Sequence, residues 1–106
     1  MSREIALNYF NFWSAKDLKN LEKILHENCV LEDWLVTVNG KDEILELNNA
    51  FFEENEISLT INELLVDDDK AFAYLTIVLN NKETLEVVDS LKFLDGQIVK
   101  IKAFKG

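Results

Sequence analysis

The chain has 106 residues, 48% of them apolar, and a formal net charge of −9. That is the size of one domain with one hydrophobic core, expected to span residues 1–106, and the acidic balance repels phosphate backbones and anionic lipid surfaces, which excludes nucleic acid as a natural partner. Cys29 is the only cysteine, which excludes an internal disulfide and a cysteine metal cluster, and no apolar run approaches the roughly 18 residues of a membrane span, so no membrane association and a cytoplasmic location are expected.

Taken in order, residues 3–15 fit a helix, with Ser2 as N-cap and Ile5, Tyr9, Phe12 and Trp13 spaced as one buried stripe, which turns Tyr9 inward. Asp17 caps a second helix whose apolar face is Leu18, Leu21, Ile24 and Leu25, ending around His26 to Asn28. From Cys29 to Val38 the chain reads as one short strand, with Cys29, Leu31, Asp33 and Leu35 in one phase. Asp33 is thus an acid among apolar neighbours. Asn39-Gly40 turns into a third helix ending near Glu54, with Ile44, Leu47 and Phe51, and Leu45 and Phe52 beside them, on its inner side.

Everything afterwards reads as strand. Ile57 to Leu65 alternates, Asp67-Asp68-Asp69-Lys70 turns, Ala71 to Leu79 returns, and Asn80-Asn81-Lys82 leads into a hairpin of Leu85–Leu94 and Gln97–Phe104 joined by Asp95-Gly96. The period of two places Leu85, Val87, Asp89, Leu91 and Phe93 on one face. A carboxyl group on an apolar face is costly unless it is protonated, hydrogen-bonded or lining a cavity. Three helices, one short strand and a four-strand meander make an α+β domain, with the helices on one face of a curved antiparallel sheet and a conical pocket between them.

This order resembles the nuclear-transport-factor-2-like superfamily, a cystatin-like α+β cone that includes SnoaL-like cyclases and ketosteroid isomerases. The likeness is densest at Tyr9 ahead of Asp17-Leu18, at Val30-Leu31-Glu32-Asp33, and at Val87-Val88-Asp89-Ser90-Leu91-Lys92-Phe93. These are similar to the segments that carry the ketosteroid isomerase active site. The resemblance implies Asp33 as general base and Tyr9 and Asp89 as the two donors to the oxyanion, with no metal and no cofactor. It also implies a homodimer formed through the outer sheet face, consistent with Val88, Leu94 and Ile98 lying off the Asp89 phase. Two positions differ from the isomerases: Trp34 follows Asp33 where they tend to have proline, and Asn48 stands about where they carry a supporting tyrosine.

Moving a proton next to a carbonyl needs a base at the acidic carbon and donors at the oxygen that gains charge. The expected function is therefore a cofactor-independent isomerase acting on a small apolar carbonyl compound. A non-catalytic ligand-binding or protein-association domain of the same fold and a SnoaL-like polyketide cyclase are the alternatives. Each acid also has a plain structural reading, a carboxylate bonded to a neighbouring backbone or tyrosine, and Tyr9 that of a core aromatic. His26, the only histidine, reads as a helix-end residue, Cys29 as a core residue, and Asp67-Asp68-Asp69 as a solvated turn. Trp13, Trp34, Phe51, Phe52 and Phe72 divide between pocket lining and core. Arg3, the only arginine, lies near the terminus, which disfavours the epoxide hydrolases of this fold, since they use an arginine between two aspartates.

Overall fold

The structure is a computed structural model that describes residues 1–106. Three helices, α1 (Ser2–Ser14), α2 (Leu18–Ile24) and α3 (Lys41–Glu54), cover one side of a six-stranded sheet of β1 (Leu25–Glu32), β2 (Thr37–Asn39), β3 (Ile57–Val66), β4 (Lys70–Leu79), β5 (Glu83–Leu94) and β6 (Gln97–Lys105). The α+β cone expected from the sequence is the observed fold. None of the helices is long and apolar enough to cross a membrane.

The helices follow their local signals with adjustments at their ends and in their buried stripes. Ser2 lies inside α1 rather than capping it, and its hydroxyl donates to the Asp68 carbonyl at 2.7 Å. Ala6, Tyr9 and Phe10 are the buried residues of α1, whereas Ile5, Phe12 and Trp13 of the expected stripe pack against the core only partly buried. Asp17 does cap α2, accepting from the Asn20 N–H at 3.2 Å, and the Asn20 side chain followed by that N–H lowers the Asp17 pKa. Lys16 takes a left-handed φ of 60° and sends its ammonium to the Phe52 carbonyl at 2.8 Å, tying the α1–α2 junction to the end of α3.

Helix α2 ends at Ile24, earlier than its apolar spacing suggests, because Leu25 turns extended and pairs in parallel with Ile98 of β6. His26 consequently sits on a strand, where its Nδ1 accepts the Asn28 N–H at 3.0 Å. The single early strand read over Cys29–Val38 is two strands: β1 and β2 form a hairpin with Leu31 opposite Val38 and Glu32 opposite Thr37. Asp33 to Val36 is the turn between them.

The strand order is β2-β1-β6-β5-β4-β3. Every pair is antiparallel except β1 with β6, so the sheet is mixed rather than wholly antiparallel. Its curvature has local causes. Register shifts fall between Ile61 and Glu63 in β3 and between Lys92 and Phe93 in β5, opposite Val99 of β6, and an extra residue on one strand bends it and increases its twist. The second shift also changes the inner phase of β6, so that Ile98 and Ile101 are both buried although they are three apart. Ile98 therefore belongs to the core and not to the outer face, where Val88 and Leu94 do lie.

The β5–β6 turn is built as the dipeptide suggests, with Asp95 at φ 52° and Gly96 at φ 79°. A Cβ at Gly96 would meet nothing within 4 Å, so any cost of substitution there is backbone strain alone. Gly96→Ala should lower stability by about 1 kcal/mol, whereas Leu91→Ala, which removes a side chain with no exposure, should cost roughly 2–5 kcal/mol. Urea denaturation with an unchanged m-value checks both.

Candidate functional site

A cavity of about 290 Å3 opens between the helices and the sheet, close to the lower end of the roughly 300–1,000 Å3 typical of small-molecule sites. Apart from Asp33, Asn48 and Asp89, every residue lining it is hydrophobic, the Tyr9 ring included. The three residues singled out from sequence, Tyr9, Asp33 and Asp89, all line this one cavity. They arrive there by different routes.

Asp89 projects from the middle of β5. Its partners across the sheet are Ala73 on β4 and Ala103 on β6, and two alanines flanking a carboxyl leave an open space in the sheet where larger side chains would close it. The parallel pairing sets Glu32 of β1 beside Lys102, so Asp33, one residue further on, is level with Ala103 and thus with Asp89. With strands about 4.8 Å apart, the two acids stand roughly 10 Å apart at the backbone. Burial first, and then the negative charge of Asp33, push the Asp89 pKa up to about 7.

Asp33 is not on a strand phase as the sequence suggested; it begins the β1–β2 turn. Its N–H donates to the Val36 carbonyl at 2.9 Å, and its Oδ1 accepts from the N–H groups of Leu35 at 2.7 Å and Val36 at 2.9 Å. An aspartate that bonds its own backbone two and three residues on holds a tight turn. Both bonds fall on Oδ1, which leaves Oδ2 without a protein partner. The same turn puts Trp34, Leu35 and Val36 at the cavity, with Leu35 79% exposed and so at its rim.

Tyr9 reaches the cavity from the inner stripe of α1, packed edge-on against Phe10 with ring centroids 5.2 Å apart. Burial, then the charge of Asp89 and then that of Cys29, hold its hydroxyl pKa well above the usual tyrosine value. It is therefore a hydrogen-bond donor throughout the physiological range. Trp13 and Phe51 stack at 5.8 Å to form an aromatic wall. Phe52 packs beneath them in the core, while Phe72 is on the far side of the sheet, 45% exposed.

Asn48, noted from sequence only as standing about where the isomerases carry a supporting tyrosine, also lines the cavity and makes no hydrogen bond to Tyr9. It shares the buried stripe of α3 with Ile44 and Phe52, at intervals of four residues, and that spacing was the available signal. Its Nδ2 is the one buried side-chain polar atom without a hydrogen-bond partner, a condition that costs about 1–3 kcal/mol.

Other reactive groups are elsewhere. Burial pushes the Cys29 thiol up to about 12, which leaves no thiolate at neutral pH. His26, Arg3 and the Asp67–Asp69 turn do not line the cavity, and no three His, Cys, Asp or Glu side chains are grouped to hold a metal ion.

The SnoaL-like domain profile matches residues 6–101. The chain belongs to the SnoaL-like domain family. Among solved structures, this SnoaL-like domain is similar to a candidate ketosteroid isomerase from Kribbella flavida, at 23% identity and a TM-score of 0.89 over 99% of this chain and 77% of that one. A candidate polyketide cyclase from Sinorhizobium meliloti is 23% identical, with a TM-score of 0.86 over 94% and 93% of the two chains. An LEH-like epoxide hydrolase from M. tuberculosis is 13% identical, with a TM-score of 0.87 over 97% and 80%. No curated protein matches. At these identities the likeness is one of fold.

The raised Asp89 pKa has a consequence for stability. The unfolded chain releases this proton near 3.8 and the folded chain keeps it to about 7, so the folded state binds more protons in between and the stability contributed by the neutral acid is lost as pH rises from about 4 through 7. Asp89→Asn should flatten that decline, by an amount on the order of a few kcal/mol between pH 5 and 8. Denaturation curves of both proteins at the two pH values test it.

Proposed function

We propose that this SnoaL-like domain is a cofactor-independent isomerase of the ketosteroid isomerase type, which moves a proton next to the carbonyl of a small apolar compound. The observation that carries the reading is the convergence of Tyr9, Asp33 and Asp89 on one otherwise apolar cavity. Asp33, with Oδ2 unengaged, takes the proton from the carbon beside the carbonyl. The C–H electrons form the new double bond of a dienolate, and negative charge develops on the carbonyl oxygen. Tyr9 and protonated Asp89 donate hydrogen bonds to that oxygen, and in a dry cavity such bonds are worth more than in water. Asp33 then returns the proton at the far end of the dienolate, the electrons collapse back to the carbonyl, and the double bond has moved into conjugation. No oxidant, metal or co-substrate enters this balance.

The two acids divide the work because their surroundings differ. Asp33 is hydrogen-bonded by backbone at the rim, whereas Asp89 is buried between alanines, and environments that separate two carboxyls assign base to one and donor to the other. Arg3 does not line the cavity, so the charge arrangement supports proton transfer over epoxide opening. A cyclase of this family would begin with the same enolisation, and a purely binding domain would use the cavity without Asp33.

Mixing the protein with a β,γ-unsaturated ketosteroid should raise the absorbance of the conjugated enone. Asp33→Asn should cut kcat by 10²–10⁴-fold, the usual worth of a positioned base, with ligand affinity retained. Equal turnover in Asp33→Asn would remove Asp33 as base, and no turnover in either protein would remove this isomerisation. The wild-type rate should also fall as pH rises through about 7, because Asp89 loses the proton it donates.

We further propose a homodimer through the outer sheet face. Tyr74, Val88 and Phe104 are directly paired across β4, β5 and β6, each more than a third exposed, and Phe72 extends the row. An apolar row of this kind is self-complementary under a two-fold axis. Sedimentation should show a dimer that Val88→Glu converts to monomer; a monomeric wild type would refute it.

A further inference from the structure

Trp34, Leu35, Val36 and Leu47 line the cavity and are each more than a third exposed, whereas the other exposed large hydrophobic residues do not line it. The exposure of the first three is fixed by the fold. The Asp33 carboxylate accepts from the N–H groups of Leu35 and Val36, the Asp33 N–H closes the turn on the Val36 carbonyl, and the Lys105 ammonium stands 5.9 Å from the Trp34 ring centre. A single surface leucine needs no explanation, but an exposed apolar patch continuous with an apolar cavity marks a surface that a ligand covers. The hydrogen-bond donors lie deeper: Tyr9 on α1 and Asp89 in the middle of β5 are both buried.

We infer that the ligand is longer than the cavity: an apolar carbonyl compound whose carbonyl end is held at Tyr9 and Asp89 and whose apolar tail leaves over Leu35 and Leu47. The proton transfer itself sets this direction. Asp33 belongs to the rim turn, so a substrate carbon that reaches its Oδ2 while the carbonyl oxygen reaches Asp89 directs the rest of the molecule along that turn. The same side chains form the wall of the cavity and its exposed rim, and the molecule that occupies the one extends over the other. Asp33 then serves twice, as base through Oδ2 and, through Oδ1, as the residue that holds the tail's contact surface in place. The substrate class is thereby narrowed to elongated compounds, against compact ones that the cavity would enclose whole. The inference rests on the reading of this cavity as a site for an apolar carbonyl compound.

The test uses 4′-methyl-, 4′-butyl- and 4′-hexylacetophenone, which share the carbonyl and the ring and differ in the tail opposite the carbonyl, with affinities read from quenching of Trp13 and Trp34 at the cavity. Wild type should bind about twofold more tightly for each added methylene, the worth of half-burying it, and so about 30-fold more tightly from the methyl to the hexyl ketone. In the double variant Leu35→Ser/Leu47→Ser that ratio should fall below about fivefold. Both leucines are exposed, so the variant keeps its core. Equal wild-type affinities for the three ketones would overturn the inference and leave the carbonyl site intact. A ratio that survives in the double variant would overturn it as well, by placing the tail inside the cavity. Loss of a dimer in the unliganded double variant, seen by sedimentation, would assign the rim to a second copy of the chain and overturn it too. Failure of all three ketones to bind would remove the carbonyl site and this inference with it.

Discussion

The pairing of β1 with β6 runs parallel in a sheet whose other pairs are antiparallel, and the position of Asp33 depends on it. β1 leaves α2 one residue after the helix ends and is carried alongside β6, so the turn that follows β1 is delivered to the level of Ala103 and Asp89. Were β1 to pair antiparallel, the turn after Glu32 would emerge at the opposite end of β6 and the two acids would be separated by the length of the sheet. The same pairing terminates α2 early and opens the space that β2 and α3 then cover.

The energetics of the cavity run against stability at several points. A carboxyl held between alanines under an apolar roof is neutral at a pH where it would otherwise be charged. A buried amide lacks a partner, and a tryptophan, a leucine and a valine crowd an exposed turn. The compensation is an extensive core, in which Leu21, Leu25, Ile44, Leu91 and Ile98 have no exposure at all. The buried polar groups that break local rules, Asp89 and Asn48, both line the one cavity.

The outer face of the sheet shows the same logic in a milder form. Lys102 pairs with Glu32 at 3.6 Å and its ammonium stands 5.3 Å from the Phe104 ring centre, while the Tyr74 hydroxyl donates to Glu86. These exposed polar contacts contribute little each, but they frame the apolar row of Tyr74, Val88 and Phe104 with charge and keep it narrow.

The sequence by itself determined the helices, the long hairpins and the inward direction of Tyr9 and Asp89, because those rest on periodicity, caps and turn dipeptides that act over a few residues. Asp95-Gly96 takes the positive φ angles its chemistry favours, and Asp89 shares a face with Val87 and Leu91 as strand alternation requires. Asp33 was legible as a residue but not as a position: alternation placed it on a strand, and its own bonds to Leu35 and Val36 made it a turn. The parallel register of β1, the bulge that moved Ile98 inward and the isolation of Asn48 were decided only in the tertiary structure. Each depends on which distant segment lies alongside, and that is settled by non-local pairing and packing rather than by any local pattern.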